Sequence, residues 1–446
     1  MSKNQILKIE KLINEGWGMG HDERGKAVFV KKSVPGDLLE VKINRKKKSY
    51  AEAVLENVIE PSDSRINPPC PFFDACGGCE HQNIAYTDQL KFKEELFTET
   101  LQRARIETKP EKIIPGSESD RYYRNSIRFF FLEDKEKRIS FARHHYIHEN
   151  GLTAVNSCLL QSETCNEILD TLQSHINLHV EKKSSFWQLK IREGKFTNEF
   201  MVEIITSGEE LPDREGIVGA LTQIDGIKSI YHTIAPAKSL RNLRRRIIFG
   251  SPVIHEKIGS FTFQISPESF FQTNSLGVKT LYDTINKYAA ITPKDVLLDL
   301  YCGTGTIGIY LSTLAKSVIG VESIPAAIRD AKDNARVNKV GNCDFICTDA
   351  EEFVCGLSAH PSTLPSPPST IILDPPRAGL TPKLINSLSK LTPFALRLIY
   401  VSCNPSTFAR DIKLFQEQGI ALKKVQPIDM FPHTHHLECV GLLTKK

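Results

Sequence analysis

One stretch of this chain fixes its fold class. Between Val296 and Val401, short apolar runs alternate with amphipathic segments. Val296–Leu300, Ser317–Val321, Asp344–Cys347, Ile371–Leu373 and Leu398–Val401 read as strands. Ile307–Leu314 and Pro325–Asn338 read as helices, the second with proline near its start, where its missing N–H costs nothing. Strands alternating with helices build an α/β Rossmann-like domain, a parallel sheet covered on both faces that binds ligands at the carboxyl edge of its strands. The first strand runs into Asp299-Leu300-Tyr301-Cys302-Gly303-Thr304-Gly305-Thr306-Ile307-Gly308, where glycines let backbone approach a ligand. Glu322 closes the second strand, placed for two ribose hydroxyls, and Asp349 follows the third, placed for an adenine. This stretch alone leaves three readings: S-adenosylmethionine, a dinucleotide, or a tight turn with no ligand.

The rest of the 446 residues is organised around that domain. Residues 1–60 read as a small β-barrel, with alternating runs at Ala27–Val30 and Leu38–Ile43 and turn signals at Gly16, Gly18, Gly20 and Pro35-Gly36-Asp37. Residues 61–263 read as an α+β central domain. It opens on a cysteine-rich loop and a helix at Tyr86–Ala104 that is expected to pack on the catalytic domain, followed by strands near Ser126–Leu132, Trp187–Ile191 and Phe200–Ile205. Residues 264–446 hold the alternating pattern, interrupted by a proline-rich loop at 358–370.

Composition narrows the class. Net charge is only +4, but basic groups cluster at Arg45-Lys46-Lys47-Lys48 and at Arg244-Arg245-Arg246 with Arg241 just before; a solvated face or a phosphate-binding surface both fit such runs. No apolar stretch is long enough for a membrane span, and Met1–Glu15 lacks a signal peptide's apolar region. A monomeric cytoplasmic protein is expected, with no membrane partner. Disulfides are rare there, so its eleven cysteines point to metal ligation or catalysis.

Two motifs on the carboxyl edge separate the readings. Asp374-Pro375-Pro376-Arg377 follows the fourth strand and Ser402-Cys403-Asn404-Pro405 the fifth. Cys403 precedes a helix starting near Ser406, whose amides are expected to stabilise a thiolate. With Phe271-Gln272-Thr273-Asn274, the Asp299–Gly308 stretch and Asp429-Met430-Phe431-Pro432…His436-Leu437-Glu438, these motifs resemble, in order, those of the RNA uracil-C5 methyltransferases, nearest the branch acting on 23S ribosomal RNA. The resemblance covers nearly the whole chain. It implies S-adenosylmethionine as donor, Cys403 as nucleophile at uracil C6, and Glu438 as the base that removes the C5 proton. It also places Gln272, Tyr301, Thr306, Glu322, Asp349 and Asp374 around donor or uracil, with Thr306 at a variable position. Cytosine-C5 enzymes carry a cysteine after the Asp-Pro-Pro-like motif; Arg377 stands there.

Cys70, Cys76 and Cys79 form C-x5-C-x2-C, and Cys158 or Cys165 could complete four ligands. The resemblance implies Cys158 and a [4Fe–4S] cluster; zinc on four cysteines is the alternative. It also identifies residues 1–60 as a TRAM-like RNA-binding domain, whose removal is expected to weaken RNA binding and spare donor binding and the choice of uridine. Tyr122, Tyr123, Arg124 and Arg128 are candidates for stacking and phosphate contacts, or for the core. A TRAM-like domain together with a cysteine cluster favours 23S ribosomal over transfer RNA, and a non-catalytic RNA-binding protein is the rival class.

Overall fold

The computed structural model describes residues 4–146, 151–181, 183–360, 364, 366–391 and 397–445. The N-terminal strands order as Gln5–Lys8, Leu38–Lys46, Tyr50–Glu60, Ala27–Lys31, Trp17–His21 and Lys11–Leu12. One continuous N-terminal stretch thus pairs with both edges of the sheet, through Gln5–Lys8 on one side and Lys11–Leu12 on the other, and curls it into a barrel around Leu7, Ile9, Val28, Val30, Leu39 and Val41. Gly16 lies in a turn at φ +74°, but Gly18 and Gly20 lie inside the strand Trp17–His21 and are not turn residues. A Cβ on Gly20 would meet the Lys8 carbonyl oxygen and one on Gly18 the Ser33 hydroxyl, so these glycines permit close approach where the barrel closes.

The central sheet has seven strands, ordered Leu152–Ala154, Ile139–His144, Ser126–Glu133, Phe186–Gly194, Glu199–Thr206, Ile227–Ile234 and Arg244–Gly250. Alternation in the strands puts Ile127, Phe129, Leu189, Ile191, Val202, Ile204 and Ile230 on one face. Helices Glu163–His179 and Arg214–Leu221 cover that face with Ile168, Leu172, Ile217 and Leu221.

The last sheet has eight strands and is mixed. Cys343–Cys347, Ser317–Glu322, Val296–Leu300, Thr370–Leu373 and Arg397–Ser402 run parallel. Beyond them Glu438–Lys445 runs antiparallel, then Ile420–Asp429, then the short Ile114–Pro115. The expected all-parallel sheet is therefore corrected at one edge. A C-terminal hairpin needs no crossover helix, so the strand–helix rhythm does not announce it. Helix Tyr86–Arg103 packs on this domain, with Phe97 against Phe408 at 6.0 Å between ring centres. Of the proline-rich segment, Ser358 and Ala359 end a helix and Thr370 begins a strand; residues 361–363 and 365 lie outside the described residues.

The barrel is not a loosely tethered module. Lys11 pairs with Glu99 at 2.7 Å, and Asn14 Nδ2 donates to Ser406 Oγ at 3.0 Å. The Lys32 ammonium sits over the Phe73 and Tyr146 rings at 4.4 and 3.9 Å and donates to the Cys76 carbonyl at 3.1 Å. Removing residues 1–60 would strip partners from the cysteine loop and from the helix that follows Cys403. Truncation would therefore remove these contacts together with any RNA-binding surface.

One buried ion pair fastens the first helix to the C-terminal hairpin. Lys93 Nζ lies 2.7 Å from Asp429 Oδ1, with the side chains 3% and 0% exposed, and also donates to Phe431 O at 3.1 Å. Lys93→Met should cost about 3–5 kcal/mol, because Asp429 would stay buried with its charge uncompensated; adding Asp429→Asn should recover much of it. Urea denaturation of both variants checks this, and a loss below about 1 kcal/mol in the single variant would mean that water replaces the ammonium.

Candidate active site

The carboxyl edge of the eight-stranded sheet gathers the side chains singled out in the sequence. After Val296–Leu300 the chain turns sharply, with Tyr301 at φ +63°, Gly303 at +54° and Gly305 at +77°. A Cβ on Gly305 would stand 2.8 Å from the Phe345 ring, which explains glycine there. Tyr301 holds the same left-handed conformation without that freedom, a strain typical of ligand sites. Glu322 Oε2 accepts from the Gly303 amide at 3.3 Å and Oε1 from Ile324 N at 2.9 Å, so the acid is held against the glycine turn. Asp349 caps the helix Ala350–Ala359, accepting from Glu351 N at 2.8 Å and Glu352 N at 3.1 Å. Thr306 Oγ1 shares a 2.6 Å hydrogen bond with Tyr282 OH.

Gln272 and Asp374 meet: the amide Nε2 donates to Asp374 Oδ2 at 3.3 Å. Gln272 is held by Asn125, whose Nδ2 donates to its carbonyl at 2.8 Å. Asp299 is an acid that the sequence reading gave no role. It is fully buried, accepts from Gly308 N at 3.1 Å, and is pushed up to about 8 by burial and by Asp374 and Glu322. Its position on the buried strand just ahead of the glycine turn was the available signal. Asp374 and Glu322 thus add their negative charge to that of buried Asp299, a field that suits a cationic ligand.

Cys403 and Glu438, 35 positions apart in sequence, are brought together by strand register. Ser402 pairs with Cys439 across the antiparallel junction, so the residue after one strand lies beside the first residue of the other. Burial pushes the Cys403 thiol up to about 11, with Glu438 and Asp374 adding to the rise and the Arg377 guanidinium opposing it. This corrects the expectation of a thiolate held by helix amides. The helix Pro405–Glu417 opens on a proline, which has no N–H, and the Asn404 side chain takes the Ser406 amide at 3.0 Å; the first two amide positions are unavailable. Glu438 is buried, and burial together with Asp374 holds it well above the usual carboxylate range; burial lifts Asp374 to about 6. Arg377 Nη2 donates to His436 Nδ1 at 3.4 Å, an acceptor role that fits an imidazole kept neutral, since burial, His435 and Arg377 lower it to about 3.

The segment carrying Glu438 is clamped from outside. Asn274 Nδ2 donates to Met430 O at 2.8 Å, Tyr123 OH to Pro432 O at 3.1 Å, and Gln89 Oε1 accepts from His433 N at 2.9 Å. Tyr123 is therefore a core residue rather than a stacking platform, while Tyr122 is exposed at φ +55°. The Arg244–Arg246 run is paired rather than free: Arg245 with Glu203 at 2.9 Å and Glu268 at 2.6 Å, and Arg244 and Arg246 with Glu209. Arg45–Lys48 is exposed. Phe270, two residues before Gln272 and 68% exposed, went unremarked in the sequence.

Cys70, Cys76, Cys79 and Cys158 line one cavity with Arg124, Phe72 and Phe129. Burial raises Cys70, Cys79 and Cys158, and the thiols raise one another. Cys165 is outside that lining, buried against Glu193 at 3.5 Å. Among the described residues, no three His, Cys, Asp or Glu side chains converge into a group that could hold a single metal ion.

Comparison with known proteins agrees with this geometry. The family described as tRNA (Uracil-5-)-methyltransferase matches residues 85–446, and the TRAM domain family matches residues 3–55. An uncharacterized RNA methyltransferase of Clostridium acetobutylicum is 35% identical over 98% of this chain and 96% of its own. One from Staphylococcus aureus is 32% identical over 100% and 99%. The Pyrococcus abyssi tRNA (uracil-54, C5)-methyltransferase, solved with S-adenosyl-L-homocysteine, superposes with a TM-score of 0.77 at 28% identity, covering 98% of this chain and 99% of that one.

The raised thiol has a kinetic signature. Alkylation of Cys403 by iodoacetamide should be slow at pH 7 and climb about tenfold per pH unit towards 11, because only the thiolate reacts. Arg377→Gln should slow it further at every pH below that, by removing the charge that favours the thiolate. Peptide mapping of the alkylated cysteine against pH reads both; a plateau already reached at pH 7 would place the resting group as a thiolate.

Proposed function

Because this chain belongs to the tRNA (uracil-5-)-methyltransferase family and carries a TRAM domain, we propose that it methylates C5 of a specific uridine in 23S ribosomal RNA through a covalent adduct of Cys403 at uracil C6. That it is an RNA uracil-C5 methyltransferase using S-adenosylmethionine follows from the family match along residues 85–446 and the fold shared with a relative bound to S-adenosyl-L-homocysteine. The observation carrying the mechanism is the register of Ser402 with Cys439, which sets a thiol and a buried carboxylate at one spot.

The chemistry needs both groups. Uracil C5 is too weak a nucleophile to take a methyl group unaided. Cys403 gives its proton to solvent, its sulfur bonds to C6, and the ring's π electrons move to O4 as an enolate. S-adenosylmethionine supplies an electrophilic methyl on a cationic sulfur. As the C4 carbonyl re-forms, C5 takes that methyl, and the donor sulfur would keep the S–CH3 bonding pair and leave as neutral S-adenosylhomocysteine; Glu438 removes the C5 proton, and the electrons left behind re-form the C5–C6 double bond as the C6–S bond breaks and Cys403 leaves as thiolate. Burial and the Asp374 charge, which raise Glu438, make it a stronger base once ionised. A positive donor beside Asp299, Glu322 and Asp374 favours that ionisation. Gln272, Tyr301, Thr306 and Asp349 complete the proposed contacts to donor and uracil. The uridine must leave its stack to reach Cys403.

Cys70, Cys76, Cys79 and Cys158 are proposed to hold a [4Fe–4S] cluster. Zinc needs four sulfurs about 2.3 Å from one point, whereas a cluster takes four thiolates at separate corners. The four thiols line one cavity, and the family resemblance is what assigns them to the second. Protein purified without oxygen should contain iron and acid-labile sulfide in equal amounts and lose both in Cys158→Ser; zinc in their place would overturn the assignment.

Transfer RNA is the second reading, and one observation favours it. The Pyrococcus abyssi relative, whose name specifies tRNA uracil-54, matches across 99% of its length, so the domain plan does not by itself exclude that substrate. Mass-spectrometric mapping of 5-methyluridine in cells with and without the gene decides: a missing methyl in 23S RNA is expected, and one missing only in transfer RNA would sink the ribosomal assignment. Cys403→Ala should abolish methyl transfer and keep donor binding. Glu438→Gln should accumulate protein covalently bound to methylated RNA on denaturing gels; normal turnover without such a species would remove Glu438 from the mechanism.

A further inference from the structure

The face of the central sheet turned away from its two helices carries a cluster that the methyl-transfer chemistry leaves unused. Register sets Arg128 beside Lys190, and Lys190 beside Glu203, on three adjacent strands. Arg192 follows two residues after Lys190 on the same face, and Arg245 reaches Glu203 at 2.9 Å. Four cations therefore crowd one buried carboxylate, which also accepts from Thr233 at 2.7 Å. Glu268, at the exposed rim, takes Arg245; Asp330 is engaged by the Ser266 hydroxyl at 2.9 Å.

Three of the four cations have work within the chain. Lys190 Nζ donates to Pro267 O at 2.8 Å, Arg192 donates to Ser269 O, and Arg245 holds Glu268. Together they pin the segment running from Ser266 into Gln272, which bonds Asp374. The fourth, Arg128, is half-buried, and its guanidinium has no hydrogen bond and no ion pair within 4 Å among the described residues. Burial lowers Lys190 to about 7 and Arg192 to about 10, and neighbouring cations add to both falls; burial and Arg245 lower Arg128 as well. A cluster short of counter-charge at its one uncommitted guanidinium is costly unless an anion completes it.

We propose that Arg128 binds a backbone phosphate of the RNA strand that carries the target uridine into the active site. The inference rests on the reading of RNA as substrate and names a residue that grips it. Two arguments select the ligand. The surplus is positive and partly desolvated, which fits a phosphate oxygen pair accepting from a planar guanidinium. The cluster also braces the very segment that presents Gln272, so a strand with its base at Cys403 passes over this face. Arg128 fixes the position of that strand and reads no base.

Arg128→Gln and Arg128→Lys, in the full-length protein, test this by fluorescence anisotropy with fragments of 23S ribosomal RNA and with transfer RNA. For Arg128→Gln, affinity at low salt should fall about tenfold. The slope of log affinity against log salt should shrink by about 0.7, the loss of one phosphate contact on a single strand. Arg128→Lys should keep the slope. Donor affinity should be unchanged, and Tm should stay level or rise, because neutralising Arg128 relieves repulsion within the cluster. Unchanged affinity and slope in Arg128→Gln would overturn the proposal, as would a fall in Tm with the slope intact, which would make Arg128 a structural cation. A wild type that binds no RNA would sink the substrate reading instead, and the two failures are told apart by that control.

Discussion

The site depends on where the last hairpin joins the sheet. Arg397–Ser402 is the fifth parallel strand, and Glu438–Lys445 hydrogen-bonds to it antiparallel. In a parallel neighbour, the residue following Ser402 would face the end of another strand that had already run its length. The antiparallel partner instead begins at that level, so its first residue, Glu438, arrives where Cys403 leaves. A shift of this pairing by one residue would turn Glu438 to the opposite face of the sheet. Much of the surrounding structure resists such a shift. Lys93 is buried against Asp429, Gln89 and Tyr123 hold the His433 amide and the Pro432 carbonyl, and Asn274 holds Met430. These groups come from the first helix, the central domain and the cap of the helix after Phe271-Gln272-Thr273, so three separate parts of the chain hold the segment that leads to one carboxylate.

Legibility in the sequence follows the range of the interactions. Val296–Leu300 is read to the residue, and the helix Pro325–Val337 to within one, because periodicity and a proline at the first turn are local signals. The nucleotide turn is legible for the same reason: its glycines answer to backbone angles and to one ring, Phe345. The hairpin Ile420–Lys445 and the helix Ser275–Ala289 went unread. The hairpin's first strand carries Lys423-Lys424 and Gln426-Pro427 inside it, which blur alternation and deny it the look of a core strand. What Cys403 experiences was the least legible. A helix start beside a cysteine suggests a lowered thiol. Burial and two carboxylates from strands 29 and 35 positions away reverse the sign, and no local pattern reports them.

Charge is distributed with opposite bias on the two sides of the Gln272 segment. On the side of the glycine turn Asp299 and Asp374 are lifted by burial, and Asp299 also by the charges of Asp374 and Glu322. On the far side Arg128, Lys190, Arg192 and Arg245 crowd Glu203. Each side is unfavourable alone, and the two proposals above give each a different complement: a sulfonium for the first, a phosphate for the second.

This arrangement bears on how binding and chemistry are coupled. Cys403 at rest is a thiol raised to about 11, so attack on C6 is disfavoured until something changes its surroundings. On the proposed mechanism, a cationic donor beside Asp374 offsets that carboxylate's share of the charge that raises Cys403, and Arg377, opposing that charge from the other direction, is tied to neutral His436. The proposed nucleophile would then gain strength as the methyl it needs arrives. A thiol that became reactive without the donor would form adducts with uracil that have no productive exit, since C5 would have nothing to attack; keeping Cys403 protonated until the pocket is filled makes the order of events a property of the electrostatics rather than of a moving lid.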